Sequence, residues 1–293
     1  MLGTDPRLLA SIRDLRLVAG RVVDGMLVGA HASRRVGAGI EFSQYRSYQP
    51  GDDLRRIDWK LYGRSDRYFV RESEAETSIT IHLVLDATAS MRLEYDGLSK
   101  FDYARFLAAG CTLLAQRQGD AAGLVLAHDG MAEVQPASRD RSRLSRLFHL
   151  LEQAKPGGRW PDPALVSQPL AAQGQRGLVI LITDFHEDGI EVRETIRAIA
   201  AMRHDVLVFH LIAPDELTLD FGEVVTLEDL ETGAQREVDC GGARAGYQAS
   251  LAEHFRRLES DCASRLVDYQ RISTATPLDR ALRRLLVARQ RLG

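Results

Sequence analysis

Ile79-Thr80-Ile81-His82-Leu83-Val84-Leu85 runs directly into Asp86-Ala87-Thr88-Ala89-Ser90-Met91. A mostly apolar, β-favouring run of this length marks a strand covered on both faces, hence a parallel sheet. A second such run, Gly177 to Thr183 (GLVILIT), also ends in an acid, Asp184, followed by Phe185. Between the two, Phe101 to Arg117 carries Phe101, Ala104, Leu107, Ala108, Cys111, Leu114 and Ala115 at helical spacing. Strands are expected at Ala121 to Ala127 and Met131 to Gln135, with a hairpin turn at His128-Asp129-Gly130.

Further along, helices are expected at Ser142 to Ala154 and Ile190 to Met202, and a strand at Val206 to Ile212. Gly222 to Asp239 reads as an added β-hairpin turning at Thr232-Gly233. A long helix over Ala243 to Asp268 and a strand over Tyr269 to Thr274 follow, and Pro277 opens a last helix. Alternating strands and helices imply an α/β, three-layer fold with a mostly parallel sheet. Ligands of such sheets sit beyond the carboxyl ends of the strands, which directs attention to the residues after Leu85 and after Thr183.

The 293-residue chain is 45% hydrophobic and 27% charged, which excludes bulk disorder. Its net charge of −3 argues against a nucleic-acid binder or a strongly basic membrane binder. Cys111, Cys240 and Cys262 form neither a disulfide framework nor a zinc ribbon and fit a reducing compartment. Leu15 to Ala32 is interrupted by Arg16, Arg21 and Asp24, so it reads neither as a membrane helix nor as a secretory signal, and a cytoplasmic location is expected. Charge is uneven: residues 1–71 hold 13 basic and 8 acidic side chains, a net of +5, leaving −8 for the remainder. The division expected is an N-terminal segment, 1–75, packed on a main domain, 76–293.

Asp86, Thr88 and Ser90 alternate, so three oxygen-bearing side chains line one side of a loop that Asp184 can join. Hard oxygens of low total charge suit Mg²⁺ or another divalent cation. The plainer reading is that the two acids cap the helices that follow, with small hydroxyl residues at their turns.

The D-x-[S/T]-x-S-M pattern after an apolar strand resembles the metal-ion-dependent adhesion site of von Willebrand factor A domains. Upstream, Gly39-Ile40-Glu41-Phe42 and then Arg46-Ser47-Tyr48-Gln49-Pro50-Gly51-Asp52-Asp53-Leu54-Arg55-Arg56-Ile57-Asp58-Trp59 closely resemble the hallmark of the DUF58 family, a group of A-domain-like bacterial proteins. His31-Ala32-Ser33 and Glu72 to Glu76 fit the same family. The resemblance implies a von Willebrand A-like fold, no enzymatic activity, and a MoxR-type AAA+ ATPase as partner in assembling or maturing other complexes, alongside other A-domain proteins. It also implies a metal site at Asp86, Thr88, Ser90 and Asp184.

Two departures stand out. Thr88 replaces the usual first serine and keeps the hydroxyl. A domains take a further metal-touching threonine from a middle loop, yet no threonine lies between Gln135 and Arg176. The matching place is Gly157-Gly158-Arg159-Trp160, where Arg159 would repel a cation or replace it by pairing with Asp86 or Asp184, and where Asp162 could compensate.

In the upstream block, Pro50-Gly51 makes a turn, Asp52 is a good N-cap, Leu54, Ile57 and Leu61 share a helix face, and Gly63 is a stop. Arg46, Arg55, Arg56, Asp53 and Asp58 can pair as a clasp, or together with Tyr48, Gly51, Asp52 and Trp59 offer a docking surface.

Enzymatic signatures are scarce. None of Lys60, Lys100 and Lys155 follows a glycine, so there is no Walker A loop, and neither HExxH nor G-x-S-x-G occurs. The alternatives carried forward are a divalent-metal phosphoesterase at Asp86, Asp184 and His186, and a metal-free scaffold.

Overall fold

The computed structural model describes residues 5–290 apart from 11, 13, 37–43, 50–56, 58, 66, 73–77, 175, 187–189, 219–223, 229–232 and 234. In chain order the elements are α1 (Pro6–Leu9), α2 (Leu15–Val36), β1 (Gln44–Ser47), α3 (Trp59–Ser65), β2 (Phe69–Glu72), β3 (Thr80–Asp86), β4 (Glu94–Tyr95), β5 (Leu98–Ser99), α4 (Lys100–Arg117), β6 (Ala121–His128) and β7 (Met131–Ser138). They continue with α5 (Arg141–Gln153), α6 (Pro163–Ala171), β8 (Leu178–Thr183), α7 (Glu191–Ala201), β9 (Asp205–Ile212), α8 (Pro214–Thr218), β10 (Val224–Glu228), β11 (Gln235–Asp239), α9 (Cys240–Ala263), β12 (Asp268–Ser273) and α10 (Leu278–Gln290).

Two units divide the chain. One joins the residues up to Leu27 with Ser78–Leu292, and the other is Val28–Thr77. The first 27 residues therefore belong with the main domain, not with the segment expected over 1–75. The reason is apolar periodicity: Leu15, Val18, Ala19, Val22, Val23 and Met26 form one buried stripe along α2.

Among the described residues the first unit is built on a six-stranded sheet in the order β12-β9-β8-β3-β6-β7. All neighbours are parallel except β6 and β7. The expected α/β, mostly parallel fold class is thus the observed one. The β6–β7 hairpin turns on Asp129 and Gly130, both at positive φ (48° and 69°), the left-handed pair that the right-handed twist of a two-residue loop demands.

Alternation along each strand fills two cores. Ile81, Leu83, Leu85, Ile180, Ile182, Leu207 and Phe209 pack against α2, α4, α5 and α10. Val84, Val125, Val179, Leu181, Val206 and Val208 pack against α6, α7 and α9. The sheet is therefore the middle of three layers. The chain leaves β3 towards β6 and β8 towards β9, so the order reverses between β3 and β8, and the crevice at that reversal opens beyond Asp86 and Thr183.

The added hairpin is present as antiparallel β10 and β11, with Gly233 at φ 72°. The long helix begins earlier and ends earlier than expected. Asp239 Oδ1 accepts from Gly242 N at 3.1 Å to start it, and Leu266 at φ 58° turns the chain back into β12.

In the second unit, β1 and β2 pair antiparallel. Gly51, Asp52, Asp53, Arg55, Arg56 and Asp58 lie outside the described residues. The short helix expected from Asp52 to Gly63 begins at Trp59, and Gly63 lies inside it. Arg46 pairs with Val70 across the two strands, and Tyr48 N donates to Tyr68 O at 2.9 Å. Trp59 is 61% exposed, edge-on to Tyr62, which stacks on Tyr68 with ring centres 4.5 Å apart.

Candidate functional site

Parallel register fixes the first relation. Leu85 lies opposite Ile182, so the next pair along the ladder is Asp86 and Thr183. Thr183 Oγ1 donates to Asp86 Oδ2 at 2.6 Å. On the other oxygen, Asp86 Oδ1 accepts from Thr88 N at 2.9 Å and Thr88 Oγ1 at 2.7 Å, because the turn after β3 folds its hydroxyl back onto the strand end. Ser90, in the 3₁₀ turn Ala89–Arg92, lies 3.1 Å from Thr88 Oγ1 and donates to Asp184 Oδ1 at 3.1 Å. The four residues expected to share a site are brought together, and all are buried. Neither acid caps a helix: Asp184 Oδ1 accepts from His186 N within the loop, and α7 starts only at Glu191.

Asp184 is aimed by its surroundings. Phe185 has φ 52°, a strained setting for a bulky residue, and is held there by burial against His210 and Tyr269. His210 Nδ1 meets Tyr269 Oη at 2.6 Å, and the ring also bonds the Asp184 backbone. Burial pushes this imidazole down to about 3, so it is a neutral strut.

The middle loop lies where the resemblance places it: Gly157 N donates to Ala87 O at 2.8 Å and Ala89 N to Gly158 O at 2.9 Å. Trp160 anchors it through Nε1 to Thr195 Oγ1 at 3.1 Å. Arg159, however, is exposed and does not fill the site. Asp162 is exposed too, and its carboxylate caps α6 through Ala164 N at 2.8 Å, so it does not compensate for the missing threonine.

Among the described residues the cation paired with Asp184 is Lys100, which the pattern after β3 did not single out. The short β4–β5 hairpin, turning on Asp96 (φ 53°) and Gly97 (φ 77°), carries the chain back and starts α4 beside the DxTxS loop. Lys100 is 2% exposed, and its Nζ lies 3.0 Å from Asp184 Oδ2 and 2.5 Å from Glu216 Oε1. The only hint in the sequence is the rarity of lysine, three in 293 residues, one of them at this helix start.

The two carboxylates are held apart electrostatically. Burial pushes Asp86 up to about 7, the Asp184 charge adds to this, and the Thr183 and Thr88 hydrogen bonds oppose it. Burial acts upward on Asp184 as well, but the Lys100 ammonium prevails, and that carboxyl is held below its usual range.

A proton count tests the cluster against a cation. Asp86, Thr88, Ser90 and Asp184 are linked by three successive oxygen–oxygen contacts, while the two hydroxyls supply two protons. If Thr88 donates to Asp86 and Ser90 to Asp184, the hydroxyl lone pairs face each other with nothing between them. A proton on Asp86, whose carboxyl burial raises to about 7, completes the chain, and a hard divalent ion facing the same four oxygens would take that proton's place. No group of three or more His, Cys, Asp or Glu able to hold a metal occurs among the described residues, and this cluster supplies two carboxylates and two hydroxyls. No helix among them is long and apolar enough to cross a membrane.

The family described as "Protein of unknown function DUF58" matches residues 44–257. An uncharacterized protein of Mycobacterium tuberculosis (strain ATCC 25618 / H37Rv) is 33% identical over 264 residues, covering 86% of this chain and 82% of that protein. Similar solved structures include BatB from Bacteroides thetaiotaomicron, with TM-score 0.44, 17% identity and coverage of 73% of this chain and 100% of that one. The SpRpn10 VWA domain has TM-score 0.38, 13% identity and coverage of 71% and 95%. At these scores the architecture rests on the sheet order itself.

Proposed function

The chain belongs to the DUF58 family, and from that premise we propose that it is a non-enzymatic, cytoplasmic interaction protein of von Willebrand A-like type. Its partner is a MoxR-type AAA+ ATPase, engaged in the assembly or maturation of other protein complexes together with further A-domain proteins. The observation that carries this reading is the convergence of Asp86, Thr88, Ser90 and Asp184 at the reversal of strand order, one proton short of a closed hydrogen-bond chain. Those four side chains would hold Mg²⁺, which when bound supplies a position for a partner's carboxylate. Thr183 fixes the Asp86 carboxylate, His210 holds the Asp184 backbone, and the Gly157–Gly158 loop supports the turn that follows Asp86. The Arg46 to Trp59 block, including Tyr48, Gly51, Asp52, Asp53, Arg55, Arg56 and Asp58, is a second contact surface on this reading.

Titrating a purified MoxR-type AAA+ ATPase into the full chain, with Mg²⁺ and with EDTA, tests the reading. Mg²⁺ should strengthen binding, and Asp86→Ala and Ser90→Ala should each weaken it more than tenfold, roughly 1.4 kcal/mol or more. Equal affinity in EDTA, with both variants binding like wild type, would remove the metal bridge. Turnover of a generic phosphoester with Mg²⁺ or Mn²⁺, lost in Asp184→Ala, would replace the interaction reading with a hydrolase.

A further inference from the structure

Lys100 is among the most deeply buried large side chains of the protein. An isolated ammonium in such a place is unfavourable, so its two carboxylate partners define its role. One is Asp184, whose other oxygen belongs to the cluster. Its second partner, Glu216, lies on a different element, α8, just beyond β9. Glu216 is itself tied down: its Oε2 accepts from Ala213 N at 2.6 Å, and its carbonyl accepts from Tyr247 Oη on α9 at 2.6 Å. The ammonium is therefore shared between an acid inside the cluster and an anchored acid outside it. Asp86, by contrast, is bonded by hydroxyls and a backbone N–H.

We propose that Lys100 is a resident cation that limits how tightly the Asp86–Asp184 cluster takes a divalent ion, and that Glu216 sets that limit by drawing the ammonium away from Asp184. This deepens the metal-bridge reading and rests on it. A divalent ion held by the Thr88 and Ser90 hydroxyls and Asp184 would meet a carboxylate whose other oxygen already accepts from the Lys100 ammonium, and would be repelled by that ammonium across a buried, weakly screened distance. Without Glu216 the ammonium would pair with Asp184 alone and compete with an incoming ion more strongly. The contacts of Glu216 with Ala213 and Tyr247 also make ion affinity sensitive to the α8–α9 surface, so a protein bound there would alter the site without touching it.

The two partners predict changes of opposite sign, which a merely structural lysine would not. Mn²⁺ is titrated calorimetrically into the full chain as wild type, Lys100→Met and Glu216→Gln, and thermal unfolding is followed with and without the ion. Lys100→Met should bind at least tenfold more tightly, with a lower Tm than wild type in EDTA and a larger rise on adding Mn²⁺. Glu216→Gln should bind at least threefold more weakly. If wild type binds but Lys100→Met binds no better, Lys100 only orients Asp184, and the proposal falls while the metal reading stands. If neither wild type nor any variant binds, both fall together. Should Lys100→Met fail to fold, Glu216→Gln decides alone: weaker binding supports the proposal, and equal or tighter binding overturns it.

Discussion

Asp86 is the residue on which the site's pH behaviour turns. Its carboxyl is raised to about 7 by burial first and by the Asp184 charge second. A carboxyl raised on folding contributes stability that is complete below its ordinary value near 3.8 and is lost as pH climbs through about 7. Asp184 is depressed, so its contribution is present above the ordinary carboxylate range and disappears only in acid. Between pH 5 and 8, therefore, wild type should lose several degrees in Tm that Asp86→Asn keeps, each pH unit of displacement being about 1.4 kcal/mol. Mg²⁺ should restore more of the loss at pH 8 than at pH 5, because at pH 5 it competes with a bound proton. Parallel Tm profiles for wild type and Asp86→Asn across this range would show that Asp86 is not the titrating group.

Turns, more than strands, hold the site's loops in place. Gly158 sits at φ 61°, and a Cβ there would lie 2.6 Å from Asp129 Cα, because the Gly157–Arg159 loop is stitched to the β6–β7 turn. The stitches are Asp129 N to Gly157 O at 3.1 Å and Gly130 N to Arg159 O at 2.9 Å. Gly158→Ala combines a left-handed backbone with a collision, and should cost roughly 2–3 kcal/mol and weaken Mg²⁺ binding through Ala89 N. Gly174→Ala is the control: its φ is 63°, but nothing lies within 4 Å of the added carbon. It should cost only about 1 kcal/mol and leave ion binding unchanged. Equal losses in the two variants, measured by denaturant unfolding, would mean that the contact with Asp129 contributes nothing. The same logic explains Lys100: a tight Asp96-Gly97 turn, not helix propensity, puts the start of α4 against the DxTxS loop.

For the whole molecule, the first 27 residues are part of one core. Val22, fully buried, and Leu282 of α10 both approach Gly110 of α4, where the three helices meet. Removing residues 1–27 would take five large buried α2 side chains, Leu15, Val18, Val22, Val23 and Met26, out of the core and uncover the apolar surface they pack on. At about 1.5 kcal/mol or more for each, that rivals the whole stability of a typical domain. A chain beginning at Ser78 should therefore fail to give a cooperative melt, and Val22→Asp in the full chain should do the same. A Ser78 chain that melts like the full protein would show α2 to be an accessory.

The sequence by itself determined the fold class, the strand ends that carry Asp86 and Asp184, and the family, because periodicity and motif spacing are local and survive without coordinates. Ile79 to Leu85 and Gly177 to Thr183 read as buried strands since all their positions but His82 and Gly177 are apolar or β-favouring, and the Asp129-Gly130 and Gly233 turns were legible for the same local reason. The tertiary structure alone decided which charges meet. The resemblance set Arg159 and Asp162 at the site, yet both are exposed to solvent and Asp162 caps α6. Lys100 and Glu216 lie 116 residues apart and meet only because α4 begins, and β9 ends, at the same edge of the sheet. Two buried carboxylates must find a counter-charge, and no periodicity along the chain records which distant residue will supply it.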